Sequence, residues 1–446
     1  MGMKISIMNG MILLPEGLRQ GTIEIENGII KDITQNSYNE KSTITIDAKD
    51  NYILPGFIDI HTNGIAGFDL TNGVFNLESG RFILEEENYI KGLDNALNEY
   101  ARTGVTSAVL TSIASPLNQL KQVFRFVYNY KQNHINSPWK EVLNGIFIEG
   151  TFIKLKDYSG AQNPDFFNEP SIQLFETLQE SAGGLIKIVN IVPEWGEPAI
   201  NLIKYLASRN IICAAGHTGA LGCQYDKAIK NGLKLAVHFL NGPTGSSYKS
   251  FDGGGAVENV LRASDMFVEI IVDGYHVDKS YVMDIIKRKG FNNVVAITDS
   301  MFAAAFKGLN EFNMLGINGS ISENKEYIHI KDREYVLFGS MLTMDIAFSN
   351  VLTWLTSPVK GIWHELHQPL EFEDALIKAS SICSKNPAKV LGIFSPIENK
   401  HNREKISYTG SIERGKNADL IIANIEKNDS GYKLEINNVF VKGNKI

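Results

Sequence analysis

Seven residues able to bind metals, move protons or hydrogen-bond a ligand follow short apolar runs in this chain. They are His61 and Asn63 after FIDI, Glu149 after GIFI, His217 after IICAAG, His238 after LKLAV, His276 after IIVDGY and Asp299 after VVAIT. Singly each is ordinary, since a His at the end of an apolar run is usually a hydrogen-bonded structural residue and a Glu there is usually solvated. Together they read differently. Two His and one Glu make a three-ligand set suited to Zn²⁺ or a similar divalent ion, with a fourth position left open to water. An Asp after the last run could take a proton from that water and later return it to a leaving group. FIDIHTNG raises a narrower question, because His-x-His would be a ligand pair and Asn63 stands where the second His would be. The remaining histidines, His134, His329, His364, His367 and His401, fall in helix-like or loop-like segments and read as solvated.

The elements that must position these residues repeat one theme. The runs YILPGFIDI, TSAVLTSI, LNGIFIE, IKIVNIVPE, NIICAAGH, LKLAVHF, MFVEIIVDG and NVVAITD alternate with segments of helical period such as LNQLKQVFRFVYNYKQ and AINLIKYLASR. Continuous apolar strands alternating with helices argue for a parallel sheet buried on both faces. Eight such units are what an α/β, (β/α)₈ TIM-type barrel needs, and its strand C-termini would carry the seven residues to one cleft. An open doubly wound sheet is the alternative, but no GxGxxG follows the first run. Residues 302–337 break the repeat and read as a β excursion, such as a hairpin, before a helix that begins near GSMLTMDIAFSNVL.

Both ends of the chain are β-rich. ISIMNGMIL and GTIEIENGIIKDI are broken at Asn-Gly, a hairpin signal, and ADLIIANI and YKLEINNVFVK are joined by NDSG. The expected organisation is a small β-sandwich domain built from residues 1–52 and 396–446, flanking a hydrolase barrel over residues 53–395.

Composition excludes several classes. The 446 residues are 43% hydrophobic and 21% charged with a net charge of −7, and no basic run marks a nucleic-acid surface. No apolar run is long enough to cross a membrane, and MGMKISIMNGMILLPEG lacks the apolar core of a signal peptide. Cys213, Cys223 and Cys383 have no CxxC spacing and read as thiols in a reducing compartment. A cytoplasmic protein without nucleic-acid or membrane partners is expected.

The motifs, taken in order, resemble those of the N-acetylglucosamine-6-phosphate deacetylases of the amidohydrolase superfamily. LPGFIDIHTNG, FIEGTFIKLKDYSGAQNP, AAGHTGA, LAVHFLNGPTG, VDGYHV, VAITDSM, FGSMLTM, SKNPAKVLGI and GSIERGKNADLIIAN run nearly end to end along the chain. The resemblance implies Glu149, His217 and His238 as metal ligands and Asp299 as general acid/base. It implies a sugar pocket of Ala161, Gln162, Asn241, Gly242, Lys249, His276, Phe338, Gly339, Ser340 and Met341. The implied reaction is hydrolysis of the acetamide of an amino sugar, N-acetylglucosamine 6-phosphate first, by a homodimer. One divalent metal per chain is expected rather than two, with Zn²⁺ ahead of Fe²⁺ and other divalent ions. His61, with Asn63, is left to hold a second ion or to hydrogen-bond the water or the substrate.

Five departures bear on the substrate. Phe147 and Thr151 replace the His and Pro of the family's HLEGP, Gln162 replaces the His of KGAHNP, Asn241-Gly242-Pro243 replaces NAM, and Lys249 stands at the spacing of a phosphate-gripping Arg. Lys binds phosphate as a point charge without the bidentate fork. N-acetylgalactosamine 6-phosphate or an unphosphorylated amino sugar is therefore the alternative substrate. A sugar-binding protein without catalysis is a further alternative, which the retained Glu, two His and Asp disfavour. A hydrolase of cyclic amides or N-acyl amino acids is disfavoured too, since the fourth run ends in IVPE without a bridging Lys.

Overall fold

The computed structural model describes residues 3–35, 43–133, 137–242, 244–247, 249–395 and 408–446, so His134, His401 and Pro243 lie outside the described residues. At its centre stands an eight-stranded parallel sheet in strict chain order. Its strands are β1 (Phe57–Thr62), β2 (Val105–Ser112), β3 (Leu143–Phe152), β4 (Ile186–Ile191), β5 (Ile212–Ala215), β6 (Leu233–Ala236), β7 (Phe267–Ile271) and β8 (Val294–Ile297). Every position of β1, β2 and β8 is buried, as expected of strands covered on both faces. The outer strands meet at their C-terminal ends: the Asp299 amide donates to the His61 carbonyl at 2.9 Å and the Asn63 amide to that of Ser300 at 2.8 Å. Helices fill the connections with an apolar stripe turned inward. The Leu117–Gln132 helix, for example, buries Leu120, Val123, Phe124, Val127 and Tyr130 at helical spacing.

The two chain ends join in one eight-stranded mixed sheet. Leu420–Asn428 pairs antiparallel with Tyr52–Pro55, which in turn runs parallel to Lys4–Leu14. Its own core includes Ile7, Ile12, Ile23, Ile53, Leu420 and Phe440. Two sequence expectations are corrected here. YILPGFIDI is not one strand: Tyr52–Pro55 belongs to the terminal sheet and Phe57–Thr62 to the central one. Asn9-Gly10 is not a turn either, because Lys4–Leu14 passes straight through it. The extra residue is taken up as a bulge between Ile7 and Gly10, with Asn9 at φ 55°. Asn27-Gly28 does form the expected hairpin, between Gly17–Glu26 and Ile29–Thr34.

The excursion after β8 is a four-stranded antiparallel sheet, Glu311–Met314, Ile317–Ile321, Tyr327–Ile330 and Arg333–Ser340, rather than a single hairpin. Its last strand returns Ser340 to the end of β8, where the Ser340 amide donates to the Asp299 carbonyl at 2.8 Å. A second small antiparallel sheet, from Gly64–Ile65 to Arg81–Ile83, follows β1, and its short strands carry no periodic signal in the sequence. Among the described residues no helix is long and apolar enough to cross a membrane.

Candidate metal centre and catalytic cavity

The C-terminal ends of the central strands bring His61, Glu149, His217, His238 and Asp299 together. Three of them leave their strands through left-handed backbone, His217 at φ 55°, His238 at φ 25° and Asp299 at φ 48°. Such conformations cost about 1–3 kcal/mol each in non-glycine residues and recur where side chains must be aimed into a site.

Glu149 lies at the centre, 2% exposed. Its Oε1 stands 2.7 Å from His238 Nε2, 3.1 Å from His217 Nε2 and 3.8 Å from His61 Nε2. Burial pushes the Glu149 carboxyl up, but hydrogen bonds from His217 and His238 and the charge of His61 outweigh it and hold it well below the usual carboxylate range. Oε2 accepts from Gln162 Nε2 at 2.8 Å. His217 Nδ1 faces the Tyr158 carbonyl at 2.9 Å, and His61 Nδ1 faces Glu269 Oε2 at 3.0 Å.

These partners decide whether the set suits a cation. A carbonyl only accepts, so the Nδ1 proton of His217 is committed to Tyr158. In a neutral His217 the Nε2 lone pair then points at a carboxylate oxygen, acceptor against acceptor. A cation between them resolves that conflict, and an outward N–H donated to a carbonyl or carboxylate is the usual support of a ligating His. The ligand atoms of Glu149, His217 and His238 lie within 4.8 Å of one another, as do those of His61, His238 and Asp299. The donor chemistry therefore fits a divalent ion at the first set, and the second set shares His238 with it.

Asn63 has a different place from a ligand. Its Nδ2 donates to Asp299 Oδ1 at 2.6 Å, and His61 Nε2 lies 3.4 Å from the same oxygen. Burial lowers the His61 pKa, yet the carboxylates of Glu269, Asp299 and Glu149 overcome it and raise the value to about 10. Phe147 packs edge-on against the His61 ring at 4.9 Å between centroids.

Beside these groups opens a cavity of about 280 Å³. Asn63, Ala161, Gln162, Asn241, His276, Phe338 and Gly339 line it with Glu149, His217, His238 and Asp299. His276 Nδ1 bonds Asp273 Oδ2 at 2.7 Å; burial lowers its pKa, but Asp273 raises it overall. Tyr275 and the fully exposed Tyr335 stand at the mouth.

Other implied pocket residues are placed elsewhere. Lys249 is exposed, just ahead of the Ser250–Asp252 turn, and is not part of the lining. Gly242 packs behind the site: a Cβ there would meet the Val237 carbonyl oxygen at 2.2 Å and His238 Nδ1 at 2.9 Å. Ser340 is buried and donates its hydroxyl to the Thr298 carbonyl at 2.6 Å, while Met341 joins the apolar cluster around Phe302. Gln162 reaches the cavity, but its amide is engaged at both ends, since Oε1 also accepts from the Ala114 amide at 2.6 Å.

Sequence reasoning missed three buried polar residues that hold the site. Glu269 on β7 accepts from His61 and from the His238 amide. Asp59 on β1 accepts from Thr298 Oγ1 at 2.5 Å, and burial raises its pKa to about 7. Asn190 on β4 donates to the Glu149 carbonyl at 2.8 Å and accepts from the Gly216 amide at 2.7 Å. Each interrupts an apolar run, MFVEII, FIDI and IVNIV, and that interruption was the available signal.

A model of the amidohydrolase family matches residues 52–446. The chain is 27% identical over 409 residues to the N-acetylglucosamine-6-phosphate deacetylase of Bacillus subtilis (strain 168), covering 91% of this chain and 89% of that protein. It is 25% identical over 440 residues to the N-acetylgalactosamine-6-phosphate deacetylase of Escherichia coli O157:H7, covering 97% and 96%. In fold it is similar to the crystal structure of N-acetylglucosamine-6-phosphate deacetylase from Pasteurella multocida, with a TM-score of 0.77 at 22% identity over 99% of both chains.

Proposed function

Because the chain belongs to the amidohydrolase family, we propose that it hydrolyses the N-acetyl group of an amino sugar, N-acetylglucosamine 6-phosphate first, to the free amino sugar and acetate. The observation that carries this reading is the convergence of His217 and His238 on Glu149 with Asp299 at the same cavity. Glu149, His217 and His238 would hold one divalent ion, Zn²⁺ ahead of Fe²⁺. When bound, such an ion supplies Lewis acidity toward the amide carbonyl and an acidified water.

The chain's own residues do the rest. Asp299 accepts the proton as water oxygen bonds the carbonyl carbon, then protonates the nitrogen as the C–N bond breaks. Asn63 fixes the Asp299 carboxylate for both transfers through its 2.6 Å hydrogen bond. His276, turned by Asp273, which also favours its protonated form, then offers its Nε2–H to the carbonyl oxygen or a sugar hydroxyl. The central sheet is read as a closed (β/α)₈ barrel over residues 53–395, with residues 1–52 and 396–446 as a small β-sandwich domain. Homodimer assembly and a cytoplasmic location complete the proposal.

One observation favours a second substrate. Among the described residues no Lys or Arg lines the cavity, and Lys249 is not part of its lining. An unphosphorylated N-acetyl hexosamine, or a 6-phosphate of the galactose series, is the alternative. A screen of N-acetyl hexosamines, each with and without the 6-phosphate, separates these. A kcat/KM for N-acetylglucosamine 6-phosphate at least about tenfold above both its unphosphorylated form and N-acetylgalactosamine 6-phosphate supports the first reading; equal values with and without the phosphate, or a preference for the galactose-series 6-phosphate, support the second.

A further inference from the structure

His364 and His367, which the sequence presents as solvated loop residues, are drawn together by a buried acid on the neighbouring helix. Asp284 sits within the Lys279–Lys289 helix and is fully buried. Its Oδ1 lies 2.6 Å from His367 Nε2 and 3.1 Å from His364 Nδ1. Its Oδ2 is separately occupied by the backbone amides of Ile362 and Trp363, at 2.7 and 2.5 Å. The carboxylate is thus held in a fixed orientation by main chain, with one oxygen turned to two imidazole nitrogens.

We propose that Asp284, His364 and His367 bind a divalent transition-metal ion of the zinc class at a site outside the catalytic cavity. The three ligand atoms lie within 4.8 Å of one another. Ligand atoms around a tetrahedral zinc ion, bonded at about 2.0–2.1 Å, stand about 3.3 Å apart, so small ring movements suffice. The ligand types, two imidazoles and one carboxylate, are those zinc takes. The His367 side chain is 8% exposed and that of His364 is 41% exposed, which leaves one face open for entry and for a water ligand.

The surrounding backbone is built around this carboxylate. A Cβ at Gly361 would stand 2.3 Å from Asp284 Oδ1, so glycine there lets the loop close over the acid. Residues 356–371 form a long connection between the Met344–Leu355 and Phe372–Ser380 helices. The backbone tie within it is the Val359–His367 bridge, and the Trp363 ring stacks edge-on against Tyr281 of the Asp284 helix at 5.6 Å. An ion at Asp284 would pin that loop to the helix.

The test uses the full chain carrying His217→Ala and His238→Ala, which breaks both ligand sets at the cavity because they share His238, loaded with Zn²⁺ alone and desalted. Elemental analysis is expected to find about one equivalent of zinc per chain, and Zn²⁺ is expected to raise the Tm. Adding His364→Ala and His367→Ala should remove both effects. If the fourfold variant does not fold, His364→Ala alone, at a half-exposed ring, should weaken Zn²⁺ binding at least about tenfold when added to the His217/His238 variant, and should leave hydrolysis by the otherwise native chain unchanged. Absence of zinc from the His217/His238 variant, or zinc retained there with unchanged affinity after loss of His364 or His367, overturns the proposal.

Discussion

Gln162 offers the sharpest separation of structure from chemistry in this site. The resemblance assigns it to the sugar, whereas the structure ties its Nε2 to Glu149 Oε2 at 2.8 Å and its Oε1 to the Ala114 amide at 2.6 Å. Gln162→Leu removes both bonds. The bond to Glu149 is made to a charged acceptor and is worth about 1.5–3 kcal/mol, and the orphaned buried amide of Ala114 costs about 1–3 kcal/mol. The first loss falls on ion binding, where removal of an outer partner typically costs about 10–100-fold in affinity. The second falls on stability. Gln162→Glu splits the two, because it keeps an acceptor for Ala114 but sets a second carboxylate oxygen against Glu149. Zn²⁺ affinity, measured by competition with a chromophoric chelator, is therefore expected to fall at least about tenfold in both variants. Urea unfolding of the metal-free proteins should show the larger stability loss in Gln162→Leu. An unchanged Zn²⁺ affinity in Gln162→Leu would refute the positioning role and return Gln162 to the substrate.

Three further outcomes follow from the same geometry. Asp299→Asn should keep its metal, assayed by elemental analysis, while kcat falls about 10²–10⁴-fold, the usual range for a lost acid/base group. Asn63→Leu removes the 2.6 Å bond to Asp299 and should lower kcat about 10-fold or more with KM little changed, as steady-state kinetics would show. Asp59, raised to about 7 by burial, binds its proton more tightly in the folded than in the unfolded chain. Its contribution is fully present below about pH 4 and is lost as pH rises through about 7. Denaturant unfolding of the native chain and of Asp59→Asn should accordingly show the native chain losing stability relative to the variant across that window.

The central strands were legible because a sheet covered on both faces demands continuous apolar runs, and the residues after those runs were legible as the site for the same reason. What escaped depends on contacts that spacing does not encode. YILPGFIDI is apolar on both sides of Pro55-Gly56, and that dipeptide marks a break without saying that one sheet there hands the chain to another. Asn9-Gly10 carries the same dipeptide as Asn27-Gly28, and pairing with Gly17–Glu26 turns one into a bulge and leaves the other a hairpin. Lys249 stands at the right interval from His238, but an interval along a loop does not set the direction of a side chain. His367 looked solvated because its partner, Asp284, lies 83 residues away on a helix. Glu269, Asp59 and Asn190 were visible as polar interruptions of apolar strands, and a buried polar group in such a run must find a partner.

Metal-dependent removal of an acetyl group from an amino sugar at this cavity would release acetate and free amine together. The most direct measurement follows acetate and free amine together, using protein stripped by a chelator, then reloaded with Zn²⁺, against N-acetylglucosamine 6-phosphate and the related N-acetyl hexosamines. The predicted result is acetate and amine in equal amounts from the reloaded protein, little from the stripped protein and little from reloaded Asp299→Asn. Undiminished release by the stripped protein, or no release from any of these sugars after reloading, would contradict it.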